Sequence, residues 1–382
     1  MSPPLQLTIN DKFQAIGNVI SAFFSAAGAV LDFEISTDNL TFTPHIKKAY
    51  VRSLLSSCNP LQLQWVFGSS TKAYTSWFNK HVVGEEGLKM RTDILEDGGA
   101  KLHWIGREDA EKVILYFHGD GFITPLNKDH LRFMNGIRLD LKYQAKVNVK
   151  LAFLEYTLIP NGHYPTQLRQ AALALRHLFN LNISPSNILI AGDSTGGLLA
   201  VQLLSHILHP HPSIEPIKMP TSPFVPLAGI IAVSPWIALE DHHTRLDNDS
   251  DFMPDRLFKI WSTLMKEHDT KSSNLNDKHF QSSDIDSWQQ PASAPAEWWH
   301  DTYKYTSHIL LTYGTTEFMA DDIHEFGKDL DKAFRGTKVG MTVISERKGM
   351  HNGPVLGALA LDSDQQFMKS IVQWVKDRFV KN

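Results

Sequence analysis

The chain has 382 residues, enough for one large α/β domain with insertions or for two ordinary domains, and far beyond a mini-domain. Hydrophobic residues make up 42% and charged residues 20%, with 23 Gly and 19 Pro, which excludes intrinsic disorder and collagenous or low-complexity architecture. The 37 Lys and Arg against 41 Asp and Glu give a net charge of −4, and without a long basic run to neutralise phosphates no nucleic-acid partner is expected.

The first element is an apolar helix. Phe13 to Leu31 is uncharged throughout, and Thr8 with Asp11 three residues later reads as the capping pair that starts it. Its polar and small exceptions, Gln14, Asn18, Ser21, Ser25 and Gly28, fall on one narrow face. Three readings stay open for residues 13–31: a membrane span, an interfacial or lid helix, and a buried packing helix. Lys12 is the only basic residue ahead of the run, and no small-residue cleavage site stands out, which argues against a cleaved secretory signal. The single cysteine, Cys58, forms no intrachain disulfide and builds no Cys-rich zinc site, which favours a reducing compartment. A cytoplasmic location is expected, or alternatively association with the endoplasmic reticulum membrane through this helix. The sequons at Asn39, Asn182 and Asn248 are too short a pattern to establish secretion.

Residues 44 to 80 carry apolar positions at helical spacing, suggesting one or two more helices. Near residue 100 the rhythm changes. Val113–Phe117, Val149–Leu154, Ile188–Ala191, Ile230–Val233 and Ile309–Thr312 read as buried strands, with Met341–Ile344 as a further strand-like run. Between them, Thr166–Asn180 and Gly196–Leu208 suit crossover helices. The alternation predicts an α/β fold with a doubly wound, mostly parallel sheet. Residues 241–300 break it, being rich in Asp, Ser, Trp and Pro, with one helical pattern around Arg256–Met265, and read as an insertion above the sheet. The organisation expected is therefore an N-terminal helical cap region over 1–90, core over 91–240, cap insertion over 241–300, and core again over 301–382.

Three loops carry the chemistry. After the first of these strands comes His118-Gly119-Asp120-Gly121, where glycines let backbone N–H groups converge on a carbonyl oxygen. Residues 192–196 read Gly-Asp-Ser-Thr-Gly between a strand-like and a helix-like run, the context in which a sharp turn projects Ser194 at the positive end of a helix. The N–H of Thr195 would join Gly119, Asp120 and Gly121 in an oxyanion hole. A serine nucleophile needs a base, and the base a carboxylate, in the order serine, acid, histidine. After Ile309–Thr312 comes Glu317, with Asp321 as reserve acid; after Met341–Ile344 comes His351. These are the expected acid and base. No metal site is expected: Asp247-Asn248-Asp249-Ser250-Asp251 begins like a calcium loop, but Phe252 and Phe258 occupy the glycine and glutamate positions, and the adjacent His242 and His243 do not share a helix face.

Together these residues resemble the hormone-sensitive-lipase family of α/β-hydrolases, in its fungal esterase or steryl acetyl hydrolase-like branch. Residues 118–121 are similar to that family's His-Gly-Gly-Gly, and 192–197 to its Gly-Asp-Ser-Ala-Gly-Gly. The stretch from Glu155 to Pro160, continuing to Tyr164-Pro165, resembles its Tyr-Arg-Leu-Ala-Pro segment, and Ser234-Pro235-Trp236 its strand-end Ser-Pro-Trp before a cap insertion. The likeness spans about residues 100–375, and Ala49–Trp77 also looks like the fungal esterases. It implies an α/β-hydrolase fold with a helical cap, Ser194 as nucleophile, His351 as base, Glu317 where many relatives carry aspartate, the N–H groups of Asp120, Gly121 and Thr195 as oxyanion donors, and no cofactor.

Two departures stand out. Asp120 replaces a glycine, putting a carboxylate beside a developing oxyanion unless it turns away or is protonated. Thr195 replaces alanine and adds a hydroxyl. The expected function is a serine carboxylesterase acting on a medium-sized hydrophobic ester, an acylated sterol, terpenoid or polyketide. That size is read from the aromatics Phe23, Phe24, Trp261, Trp288, Trp298 and Trp299 of the cap. Two alternatives stay open: an acyltransferase or lactone-forming cyclase using the same triad, and a non-catalytic ligand-binding homologue disabled by Asp120.

Overall fold

A computed structural model describes residues 5–32, 42–220, 225–239, 251–267, 287–357 and 364–380, apart from single positions at 83, 86, 98, 252 and 254. Asn39, Asn248, His242, His243 and most of the calcium-like stretch lie outside the described residues.

The chain opens with helices Ile9–Asp32 (α1), Phe42–Ser57 (α2), Pro60–Phe67 (α3) and Ser70–His81 (α4). Thr8 starts α1 as expected: its N–H donates to the Asp11 carboxylate at 2.9 Å, and the Asp11 N–H donates back to Thr8 Oγ1 at 3.2 Å, a reciprocal cap. Residues 42–81 form three helices rather than one or two. Asn59 and Gln62 make a second capping box ahead of Pro60, and Ser69 caps α4 through the Lys72 N–H.

Eight strands follow: Arg91–Ile94 (β1), Lys101–Ile105 (β2), Lys112–Phe117 (β3), Val149–Glu155 (β4), Ile188–Asp193 (β5), Gly229–Val233 (β6), His308–Gly314 (β7) and Gly340–Glu346 (β8). They form one sheet in the order β1-β2-β4-β3-β5-β6-β7-β8. All pairings from β4 to β8 are parallel, while β1 with β2 and β2 with β4 are antiparallel. Every residue of β5 and β6 is buried, because helices cover both faces of the central strands. Thr166–Asn180 (α6) and Thr195–Leu208 (α7) pack on one face; α4 and Lys128–Gln144 (α5) pack on the other. Of the stretch 241–300, the described part includes helix Asp255–Lys266 (α8), whose Phe258 and Trp261 join the core. The chain continues with Ala320–Ala333 (α9), the short Gly353–Leu356 (α10) and Asp364–Val380 (α11).

The C-terminal ends of β3, β5, β7 and β8 therefore open onto one edge of the sheet, the side where parallel α/β sheets gather their ligands.

Candidate active site

Ser194 sits between β5 and α7 with φ 49° and ψ −120°. A non-glycine residue in that region stores about 1–3 kcal/mol of strain. The surrounding turn tolerates only small residues: a Cβ on Gly192 would lie 2.1 Å from the Gly196 carbonyl oxygen, and one on Gly196 would lie 2.0 Å from that of Phe117. The turn thrusts the Ser194 hydroxyl toward His351, whose Nε2 lies 2.9 Å from Oγ.

The expected acid also arrives. Glu317, fully buried in the turn after β7, has Oε2 at 3.7 Å from His351 Nδ1. This is outside hydrogen-bond reach but close enough for the charge to act across a dry site. Burial lowers the proton affinity of His351, yet Glu317, and then Asp251 and Asp193, outweigh it and raise the ring above its ordinary value. Glu317 is held in turn by the Ser234 hydroxyl at 2.6 Å and the Gly314 N–H at 3.2 Å. The reserve acid Asp321 lies half-buried in the first turn of α9, and Glu317 is the carboxylate that faces His351.

The loop after β3 has positive φ at three successive residues, 71° at Asp120, 73° at Gly121 and 56° at Phe122. The Asp120 carboxylate turns toward the N-terminal turn of α5, accepting from Thr124 Oγ1 at 3.2 Å and Asn127 Nδ2 at 3.1 Å, with His130 Nε2 at 3.9 Å. Burial raises its pKa, and of the two exits from the expected repulsion the geometry shows the first, a carboxylate turned away. Gly119 packs against Asp193 and Ser194, close enough that a Cβ there would meet both. Thr195 brings a feature the motif did not disclose: its Oγ1 accepts the Gly121 N–H at 3.0 Å, so one expected oxyanion donor is already engaged.

Of the cap aromatics expected to size the substrate, the structure brings only Trp261 to the site, its ring filling the space beside the Gly121 Cα. Phe23 and Phe24 are exposed on the outside of α1, Trp288 and Trp298 pack edge to face on each other, and Trp299 packs on Phe326. Phe258 stacks on Trp236 at 5.1 Å and packs edge to face on Phe318. Ser194 is left 3% exposed beneath this roof.

Several polar residues of the site escaped the sequence reading. Asp193, fully buried, accepts hydrogen bonds from the Tyr116 hydroxyl and from Asn352 Nδ2, and faces His130 Nε2 at 3.6 Å. Burial opposes its charge, but His130 and the Tyr116 hydroxyl outweigh that and hold the carboxyl below its ordinary value. Asp251, also fully buried, accepts the Phe318 N–H at 3.0 Å. Asp193 and Asn352 do stand next to the motif residues Ser194 and His351, and adjacency was the only signal available. Among the described residues no cluster of His, Cys, Asp and Glu could hold a metal ion.

Comparison with known proteins gives a consistent likeness. A family model described as steryl acetyl hydrolase matches residues 48–380. Steryl acetyl hydrolase 1 of Saccharomyces cerevisiae is 22% identical over 260 residues, 65% of this chain and 55% of the yeast protein. Human hormone-sensitive lipase is 23% identical over 124 residues, 30% of this chain and 11% of the human protein. The chain thus spans about half the yeast relative's length and far less of the human one. A thermostable esterase from Pseudomonas putida superposes with a TM-score of 0.62 at 18% identity, covering 90% of this chain and 98% of the other. A bacterial esterase of the hormone-sensitive lipase family does so with a TM-score of 0.57 at 17% identity, covering 98% and 99%.

Proposed function

The chain belongs to the steryl acetyl hydrolase family and has the α/β-hydrolase fold, and from that premise we propose that it is a serine carboxylesterase acting on an acyl ester of a medium-sized apolar alcohol, of which an acetylated sterol is the leading example. The observation that carries this reading is the Ser194 hydroxyl on a strained turn, 2.9 Å from a histidine that faces a buried glutamate. Residues 1–90 and 241–300 supply the cover in this reading, and 91–240 with 301–382 the catalytic core.

In the proposed cycle Ser194 Oγ bonds to the ester carbonyl carbon while His351 Nε2 takes its proton. The oxyanion is held by the N–H groups of Asp120, Gly121 and Thr195, with Gly119 providing room. Collapse breaks the bond to the alcohol, which leaves with the proton from His351. Water then attacks the acyl-enzyme, giving one proton to His351, and the acid departs as that proton returns to Ser194. Glu317 stabilises the imidazolium in both halves, and no cofactor takes part. The near-complete burial of Ser194 favours one second reading: with water kept out, a substrate hydroxyl would take the acyl group instead.

Turnover of p-nitrophenyl esters from acetate to decanoate, and of an acetylated sterol, tests the proposal with wild type and Ser194→Ala side by side. Hydrolysis should fall at least about 10³-fold in the variant. Equal rates would remove Ser194 from the mechanism, and acylated alcohol as the product would mark the transferase reading.

We also propose that α1 rests on a lipid surface. Two of its polar residues reach α2, Asn18 Nδ2 donating to the Ser57 carbonyl at 2.7 Å and Ser25 Oγ to Ser53 Oγ at 3.0 Å. Ile9, Phe13, Ile20, Phe23 and Phe24 are more than half exposed, Phe23 with one side of its ring against Tyr50.

A further inference from the structure

We propose that Asn352 is a positioning residue that sets the register between the nucleophile and the base, through bonds made one residue away from each. The inference rests on the esterase reading for its catalytic consequence and on geometry alone for its structural one.

Asn352 follows His351 directly, and Asp193 precedes Ser194 directly. The Asn352 Nδ2 donates to Asp193 Oδ2 at 2.8 Å; a carboxylate only accepts, so the amide nitrogen must face it. This bond joins the same two chain segments as the His351–Ser194 bond. A loop histidine on its own would swing on its flanking peptides, and the second strut removes that freedom. Asp193 is in turn anchored to β3 by the Tyr116 hydroxyl and lies against His130 of α5. The strut therefore ends on the rigid sheet.

The backbone of the same residue reaches the acid. Its N–H donates to Ser234 Oγ at 3.2 Å, and Ser234 Oγ donates to Glu317 Oε2 at 2.6 Å. One residue thus touches the nucleophile turn through its side chain and, through its main chain, the Ser234 hydroxyl that holds the acid. Its backbone is left-handed, with φ 55° and ψ 24°. Asparagine tolerates that region better than most residues, and its short amide still spans the gap. Asn352 is 2% exposed, so water does not substitute for either bond.

The left-handed backbone offers a clean test. Asn352→Gly keeps a residue suited to φ 55° and removes the side chain that carries the amide. With p-nitrophenyl acetate, kcat should fall by about tenfold to a hundredfold, the size of penalty expected for a small misplacement of a reacting group, while KM stays within about twofold. Ser234→Ala cuts the acid-side branch. Because both branches act through one loop, the double variant should lose clearly less than the product of the two single losses. Multiplicative losses, or an unchanged kcat in Asn352→Gly beside an active wild type, would overturn the proposal without touching the esterase reading. An inactive wild type would instead fail that reading. Amide exchange decides the structural part in that case. It should quicken over residues 349–355 in Asn352→Gly, with the sheet unchanged, and unchanged protection there would refute the strut.

Discussion

Thr195 bears most directly on how fast the site can turn over. Its hydroxyl accepts the Gly121 N–H, and that donor must change partner before it can hold an oxyanion. A single oxyanion donor is worth roughly 10²–10³ in kcat, so tying one up in the resting state is costly to the rate. Thr195→Val keeps the branched shape and removes the acceptor. An increase of about tenfold in kcat on short p-nitrophenyl esters is expected; a decrease would mean that the hydroxyl itself serves the oxyanion. At this scale motif and chain order singled out Ser194, His351 and Glu317, three residues that the fold brings side by side. It did not disclose Asn352 with Asp193, a contact between residues 159 positions apart, nor the direction in which Asp120 turns, which Thr124 and Asn127 decide.

Strands were legible by apolar sequence rather than by burial alone: β8 read as a strand-like run although largely exposed or half-buried, while β2, buried at four of its five residues but carrying Lys101 and His103, did not. Strands β3 to β7 read as apolar runs because both of their faces are covered, whereas β1 alternates exposed and half-buried residues at the sheet edge and left no such run. Likewise the capping box at Asn59 was present in the sequence, yet apolar spacing across it concealed the break between α2 and α3. Helix α1 was legible as an element and ambiguous in setting. It is 24 residues long, about 36 Å, and Ala15, Ala22 and Ala29, seven residues apart, are buried against the protein. Burying an Ile or Phe contributes about 1.5–3 kcal/mol, so the outward row forgoes on the order of 10 kcal/mol in water. A lipid surface would recover part of it. Wild type is expected to float with phosphatidylcholine vesicles, and a variant carrying Phe23→Asp and Phe24→Asp to stay behind with its turnover of soluble esters intact. Equal flotation, or a wild type that stays in the aqueous layer, would contradict the lipid contact.

The molecule as a whole should be acid-sensitive for a reason visible in its interior. Burial pushes His118 down to about 3 and His206 down to about 4, and burial with Arg378 nearby holds His308 at about 4. The unfolded chain takes up these protons near pH 6.5, while the folded chain refuses them. The unfolded state therefore binds more protons between about pH 4 and 6.5, and stability falls as pH falls through that window. His351, raised rather than lowered, changes its contribution only above pH 6.5. Calorimetric melting temperature should rise steadily from about pH 5.5 to 6.5, above most of the range in which exposed carboxylates titrate; a flat profile would mean that these rings are not buried neutral.

The central claim is a covalent one, that Ser194 is the nucleophile of an ester hydrolase. Its most direct test is a serine-directed fluorophosphonate followed by intact mass and peptide mapping. A single adduct on Ser194, absent from Ser194→Ala and slowed in His351→Ala, is the result expected. No adduct on the folded protein, or one on another residue while ester hydrolysis persists, would contradict it.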